Sequence, residues 1–379
     1  MSRNAKLPFN CPPMHARQSG VALFVTIVMV TVILIVASTL AYRHELNSVR
    51  NSQAMVSEQA ILLALSAESW AKSILLDDLA NNNTDSLQDD WARVIPVLPV
   101  EGGTMTGCMV DMQSKYNLNN LGFLDQEDYE NALNEPEDDL VEAYLGIREY
   151  IGLDAFPDHA AVIVDWIDAD TDLIVTTSAE DSEYSLETPP RLTANAQLTS
   201  LSELVSVSGY SLVDVLALED YVVALPAQTT INVNTAPIGV MQGLSTLIDG
   251  FVVEGLIENR PYDDTGAFYQ ALEDETGMPQ SQITQQLPTS LFGVSSNFFE
   301  LRAQVQIGGE NIALTSLFQR NGRNDIRTIS RSLQFIPELI LEDDDINPLR
   351  PLCAPIVDDE DIEEPVSYTH LTLPTTPYV

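Results

Sequence analysis

The pattern of apolar and polar positions changes character four times along this chain. Residues 21–42, VALFVTIVMVTVILIVASTLAY, form one uncharged apolar run. At about 1.5 Å per residue the run makes a helix about 33 Å long, enough to cross the hydrocarbon core of a bilayer. In residues 43–79 the apolar positions thin to a stripe of Leu46, Val49, Val56, Ala60, Leu63, Ala67, Trp70 and Ile74, with polar Gln53 in its one gap. Steps of three and four predict an amphipathic helix with one apolar face. Neither proline nor glycine falls within residues 21–80, so the two stretches are predicted to form a single helix that Asn81-Asn82-Asn83 ends. Its first half would sit in lipid and its second against a globular domain.

Beyond that helix the period becomes two. Val94-Ile95-Pro96-Val97-Leu98-Pro99-Val100 runs into Gly102-Gly103, and residues 104–112 return, which reads as a hairpin. Lys115-Tyr116-Asn117-Leu118-Asn119-Asn120-Leu121 then reads as a polar turn with two apolar anchors. From about 122 to 290 the texture is short helical segments between Pro, Gly and acidic loops. Alternation resumes at Asn297, where Phe299, Leu301, Ala303, Val305 and Ile307 take one face. Gly308-Gly309 turns the chain, 312–320 returns, Asn321-Gly322 turns it again and 325–335 gives another strand. The predicted fold class is α+β: a long N-terminal helix packed on an antiparallel sheet, with a large, mostly α-helical domain inserted in the sheet.

Charge sets the orientation. The chain holds 17 Lys+Arg against 56 Asp+Glu, a net charge of −39. Residues 1–20 carry +3 from Arg3, Lys6 and Arg17 and residues 21–42 carry nothing, which leaves −42 on the remainder. The positive-inside rule puts the N-terminus of a single-pass protein in the cytoplasm, against a contrast that Arg43 and Arg50 weaken. Everything after Tyr42 would then lie outside, in the periplasm if the cell is Gram-negative. A remainder this acidic argues against nucleic acid, whose binding neutralises phosphates with Lys and Arg. It suits a basic partner or divalent cations. Of the three cysteines, Cys11 precedes the apolar run, whereas Cys108 and Cys353 fall on the exported side, where an oxidising compartment would let them pair. Residues 342–364 hold ten carboxylates and are expected to be disordered. The end, PVSYTHLTLPTTPYV, differs in composition from everything before it and resembles a translated sequencing-adaptor remnant.

The junction before the apolar run chooses between kinds of signal. A secretory peptide is cut after its apolar region. Here Arg17-Gln18-Ser19-Gly20 ends in a glycine directly before it, so cleavage between Gly20 and Val21 would leave the helix on the mature chain. This arrangement resembles a type IV prepilin signal, processed by prepilin peptidase and methylated at the new N-terminus. An uncleaved signal anchor and a cut near Ala37-Ser38-Thr39 are the other readings, and the second conflicts with the length of the run.

Several stretches in order resemble one family, the type II secretion minor pseudopilin K. They are Gln18-Ser19-Gly20-Val21-Ala22-Leu23, Asn117-Leu118-Asn119-Asn120-Leu121, Val164-Asp165-Trp166-Ile167-Asp168-Ala169-Asp170, Ala179-Glu180-Asp181 with Tyr184, Leu201-Ser202-Glu203-Leu204, and Ile231-Asn232-Val233-Asn234-Thr235-Ala236. The resemblance implies a pilin-like fold with an inserted helical domain. It implies a prepilin leader over 1–20, a transmembrane helix over 21–42, pilin-like parts over 43–121 and 291–337, the insert over 122–290, and a tail over 338–379. It also implies a place at the tip of a short pseudopilus, with minor pseudopilins I and J as partners and contacts to the major pseudopilin and inner-membrane secretion components. Pilins usually carry Glu as the fifth mature residue, to meet a neighbour's N-terminal amine. Here that position is Val25, and a carboxylate with no amine to meet would cost several kcal/mol in lipid. The family resembles this sequence in that absence, which fits a subunit with no neighbour beyond it.

Two stretches are candidate sites. Between 165 and 183 lie Asp165, Asp168, Asp170, Asp172, Glu180, Asp181 and Glu183. Oxygens at this density suit calcium, which takes six to eight of them. The Asp168-x-Asp170-x-Asp172 start copies an EF-hand, but Leu173 stands at the glycine position and Ala179 at the closing carboxylate. Any site must therefore be irregular and closed by Glu180 or Asp181, and the resemblance implies calcium in the helical domain. Residues 231–260 resemble a helix-hairpin-helix of DNA-uptake receptors. Their turn, Leu247-Ile248-Asp249-Gly250, puts an acid where phosphate would sit, and no Lys lies in the segment. Asn234 or Thr235 reads as a helix cap ahead of Pro237. Catalysis has no footing: none of His15, His44, His159 and His370 falls in a nucleophile, zinc or P-loop pattern, and His159 reads as a surface or helix-start residue. The readings in order are a tip minor pseudopilin, a type IV or DNA-uptake minor pilin that binds ligand through its insert, and a tethered enzyme.

Overall fold

A computed structural model describes residues 19–123, 140–322 and 325–335. The leader up to Gln18, the tail beyond Phe335 and Cys353 lie outside these residues. The chain falls into two compact units, 1–59 and 60–379, and helix α1 (Ser19–Asn81) contributes to both.

In the first unit α1 is exposed at every residue from Val21 to Met55. It is long and apolar enough to cross a membrane, and none of the apolar window is buried. The threonine and serine hydroxyls of its apolar run are satisfied within the helix. Thr26 and Thr31 donate to the carbonyls of Leu23 and Val28 at 2.8 Å, and Thr39 donates to Ile35 at 2.7 Å. Such back-bonding gives these hydroxyls a partner where lipid would offer none.

The second unit begins with residues 60–81 of α1. Strands β1 (Ile95–Val100) and β2 (Gly103–Asp111) follow, then the two-residue β3 (Tyr116–Asn117). The insert holds α2 (Leu140–Tyr150), α3 (Asp158–Ile167), α4 (Asp181–Tyr184), α5 (Leu212–Leu218), β4 (Val222–Val223), β5 (Ile231–Asn232), α6 (Ile238–Gly243), α7 (Gly250–Glu258), α8 (Thr265–Thr276), α9 (Gln280–Gln286) and β6 (Phe292–Gly293). The long strands β7 (Phe298–Ile307), β8 (Glu310–Arg320) and β9 (Ile326–Phe335) complete it.

One antiparallel sheet runs in the order β1-β2-β7-β8-β9. β2 pairs with β7 from Gly103 opposite Ile307 to Asp111 opposite Phe299, so the whole insert leaves and re-enters the sheet between two hydrogen-bonded neighbours. The predicted period-two strand is β7, whose residues at 299, 301, 303, 305 and 307 are all buried. Gly308 and Gly309, both at positive φ (54° and 88°), supply the left-handed pair that a two-residue hairpin needs. Trp91 packs edge-on to Phe299 at 5.1 Å in this core. A second core fills the insert around Tyr144, Ile163, Val240 and Phe268. There α2 and α6 cross at two glycines, and a Cβ on Gly146 would lie 2.1 Å from the Gly243 carbonyl oxygen.

The stripe predicted for α1 needs correction. Its buried residues in this unit are Ala60, Ala64, Ala67, Ala71 and Leu75, together with Glu68. Trp70 is 42% exposed, and Leu63 and Ile74 are half-buried. Alanines take most of the buried positions, and Glu68 among them accepts from Ser316 of β8 and Thr328 of β9.

Candidate functional site

The acidic loop opens at the end of α3. Asp165, in its last turn, is fully buried. Its Oδ1 accepts from the Ile174 amide at 3.0 Å and its Oδ2 from the Ser178 hydroxyl, so it clasps its own loop. Burial pushes its carboxyl up to about 6 against those hydrogen bonds. Asp168 follows as the C-cap of α3, and its Oδ1 is buried with no donor among the described residues. Burial, then the charges of Asp170, Asp165 and Glu180, push Asp168 up to about 7. Asp170 and Asp172 are exposed, and the Asp172 amide donates to Asp170 Oδ1 at 2.8 Å.

Glu180 is the N-cap of α4 and closes a capping box with Glu183. Its Oε2 accepts from the Asp181 amide and the Thr193 hydroxyl, both at 3.1 Å, while Oε1 is buried without a donor among the described residues. Burial raises the Glu180 carboxyl as well. Asp181 is committed, its Oδ1 accepting from Thr193 N at 3.0 Å and Oγ1 at 2.8 Å. Asn195, at φ 44°, donates to the Asp170 carbonyl at 3.0 Å, and its own Oδ1 is buried with no donor among the described residues.

Of the seven acidic residues named from sequence, Asp168 and Glu180 thus keep a buried oxygen with no donor among the described residues, and Asn195 joins them unforeseen. Asp165 and Asp181 hold the loop, and Asp170 and Asp172 form its rim. No group of three or more His, Cys, Asp or Glu is arranged to hold a metal among the described residues. The orphan oxygens, two carboxylate and one amide, are nonetheless the donor chemistry that suits a hard cation. Asn195 gave a weak signal: an asparagine in an acidic, proline-rich loop is a residue that tolerates the left-handed region.

Two motifs prove to be fasteners. Asn117, Asn119 and Asn120 are buried. The Asn119 amide donates to the carbonyls of Leu198 and Leu225, both at 2.9 Å, and its oxygen accepts from Leu198 N at 2.9 Å. Asn232 donates to the Asp85 carbonyl at 3.0 Å, to Asp111 Oδ2 at 2.9 Å and to Ser296 Oγ at 3.0 Å. Asp111 Oδ2 also accepts from the hydroxyls of Thr235 and Ser296, both at 2.6 Å. The last residue of β2 is thereby tied to the insert. Neither Asn234 nor Thr235 caps α6, contrary to the sequence reading. Asn234 bonds both ways to the Tyr262 backbone, at 3.0 and 2.7 Å, and the residue before α6 is Pro237 without a side-chain cap. Tertiary partners outcompete the local cap.

The helix-hairpin-helix reading meets a filled site. Asp249 Oδ1 accepts from the amides of Phe251 and Val252 at 3.0 and 2.9 Å, which occupies the donors a phosphate would need. His159 is the second residue of α3 and stacks on Phe156 at 5.9 Å, with no acid or nucleophile bonded to it among the described residues. Cys108 is disulfide-bonded, and the predicted partner Cys353 lies outside the described residues.

Residues 114–227 match the family model for type II secretion system protein K. The chain is 29% identical over 335 residues to type II secretion system protein K of Aeromonas hydrophila, covering 84% of this chain and 98% of that protein. It is 29% identical to the protein K of Pseudomonas aeruginosa, covering 84% of this chain and 94% of that protein. Among solved structures it is similar to a chain of the GspK–GspI–GspJ complex of the enterotoxigenic Escherichia coli type 2 secretion system. The TM-score is 0.65 and the identity 24%, over 75% of this chain and 99% of that one.

Proposed function

From a chain related over most of its length to the type II secretion K proteins, we infer a minor pseudopilin that assembles with minor pseudopilins I and J at the tip of the secretion pseudopilus. The observation that carries the reading is an apolar, uncharged span after Gly20 joined to a pilin-type helix-on-sheet unit, with Val25 at the position where pilins carry Glu. A tip subunit has no neighbour beyond it, so a fifth-residue carboxylate would have no amine to pair with and would stay costly in lipid. The insert enters and leaves through adjacent strands, and a bulky addition to one subunit crowds a filament repeat and favours one copy at the end. A structural component of this kind needs no reacting centre, and we assign none. Processing by prepilin peptidase between Gly20 and Val21, with the domain on the periplasmic side, completes the reading.

Mass spectrometry of the protein from cells with an active prepilin peptidase tests it. The reading expects a mature chain that begins at methylated Val21. A chain that begins beyond residue 37, with the span gone, contradicts it.

A second reading, calcium held by the insert, rests on the orphan oxygens of Asp168, Glu180 and Asn195. Bound calcium would neutralise the charges that raise Asp168 and would supply partners for all three oxygens. Asp165 and Asp181 serve in this reading by fixing the loop.

A further inference from the structure

We propose that Asp78 and Asp85 share one proton, forming a latch that ties the C-terminal end of α1 to the sheet and insert and that releases when the proton is lost. Asp78 stands in the last turn of α1 with a side chain 8% exposed, and Asp85 in the following loop is 2% exposed. Between them lies Arg320 of β8, 4% exposed, with Nη2 at 2.5 Å from Asp85 Oδ2 and Nη1 at 3.6 Å from Asp78 Oδ2. Asp85 Oδ2 also accepts from the Ser296 amide at 2.7 Å. Asp85 Oδ1 is buried and receives no N–H or hydroxyl among the described residues. Asp111 of β2, fully enclosed, is the third carboxylate of the cluster.

Asp78 and Asp85 share one guanidinium, and with Asp111 beside Asp85 the cluster carries a net negative charge that burial makes costly. Asp111 offsets its share through donors on both oxygens: the Gln113 amide at 2.8 Å on Oδ1, and Asn232, Thr235 and Ser296 on Oδ2. Asp85 has the guanidinium. Asp78 has neither. The charged groups that face it are Asp85 and Asp89 from the loop and Arg320 from β8, whose Nη2 is held by Asp85 Oδ2 and the Ser296 carbonyl while Nη1 has no hydrogen-bond partner among the described residues. A protonated Asp78 removes the excess charge and gives its hydrogen to the one oxygen of Asp85 that lacks a donor. Consistent with this, burial and the charges of Asp85 and Asp89 push the Asp78 carboxyl up to about 7. When both groups ionise, two carboxylates repel where three segments of chain are joined.

The test compares thermal and denaturant unfolding of the full chain in detergent micelles with that of Asp78→Asn. The asparagine amide offers the same hydrogen but does not titrate. The ratio of wild-type to variant folding constants is expected to fall about tenfold for each pH unit between about pH 5 and about pH 7, and then to level off. Parallel pH curves, or a variant equally weaker at every pH, overturn the proposal. Asp85→Asn provides a second arm: it turns Asp78 into the carboxylate partner of Arg320 and removes the same slope. The infrared carbonyl band of a protonated carboxyl at about pH 6 should be present in wild type and reduced in whichever variant folds. A band unchanged in that variant also overturns the proposal.

Discussion

Arg331 of β9 grips Glu68 of α1 through two parallel hydrogen bonds, Nε to Oε2 at 2.8 Å and Nη2 to Oε1 at 2.9 Å. The hydroxyls of Thr328 and Ser316 and the ammonium of Lys72 add to the same carboxylate, at 2.6, 3.1 and 2.9 Å. A charged residue on the buried side of α1 is thus the point where the helix is keyed to the far edge of the sheet. Burial alone would raise this carboxyl, but the hydrogen bonds from Arg331, Thr328 and Lys72 overcome it and bring Glu68 down to about 2.

Stability should therefore fall in acid. A carboxylate whose folded pKa lies below its unfolded one stabilises fully above the unfolded value, and that stabilisation is lost as pH drops toward the folded one. For Glu68 the window runs from about pH 4.5 down to about 2. Because Arg331 is partly exposed, Glu68→Gln is expected to cost about 2 kcal/mol at neutral pH rather than the full linkage value. Urea unfolding at neutral pH and at about pH 3 measures both effects, and the gap between variant and wild type should narrow in acid.

The crossing of α2 and α6 leaves no room for a methyl group. Gly146→Ala would place its Cβ against the Gly243 carbonyl. The helices must separate, at a cost of about 1–3 kcal/mol. A drop in melting temperature, with an unchanged circular dichroism spectrum below the transition, is the expected result.

Asn119→Ala removes three hydrogen bonds at a site with no water access and orphans the Leu198 amide and two carbonyls. The expected loss is about 2–4 kcal/mol. Hydrogen exchange should locate it in the segments around 198 and 225, rather than in β7 and β8.

Calcium should raise the melting temperature of the protein above its value in EDTA. Asn195→Ala and Glu180→Gln should each reduce that rise, because each removes or weakens one of the oxygens left without a donor. Equal melting in both buffers would leave the loop as a hydrogen-bonded acidic surface and nothing more.

Much of the fold was legible in residue pattern. The uncharged run, the alternation of residues 298–307, the glycine-pair turn and the long gap between the first and later strands all report local period, which sequence records directly. The buried face of α1 was legible only in part: Ala60 and Ala67 lay on the predicted stripe, but hydropathy also put Trp70 and Leu63 there and missed Ala64, Ala71 and Leu75. The role of Asn117, Asn119, Asn120 and Asn232 was not legible. Their partners lie more than sixty residues away in several cases, and a polar residue in a loop carries no mark of the carbonyl it will meet. In the acidic loop the cluster stood out, but which oxygens stay unpaired depends on Ser178 and Thr193 claiming Asp165 and Asp181.

Co-expression with the small pseudopilins I and J of the same secretion cluster tests the central claim most directly. The account predicts that affinity capture of this chain retains both in a fixed ratio through size exclusion, and that the major pseudopilin alone does not replace them. Elution of this chain by itself, with I and J passing separately at concentrations where each is folded, would contradict it.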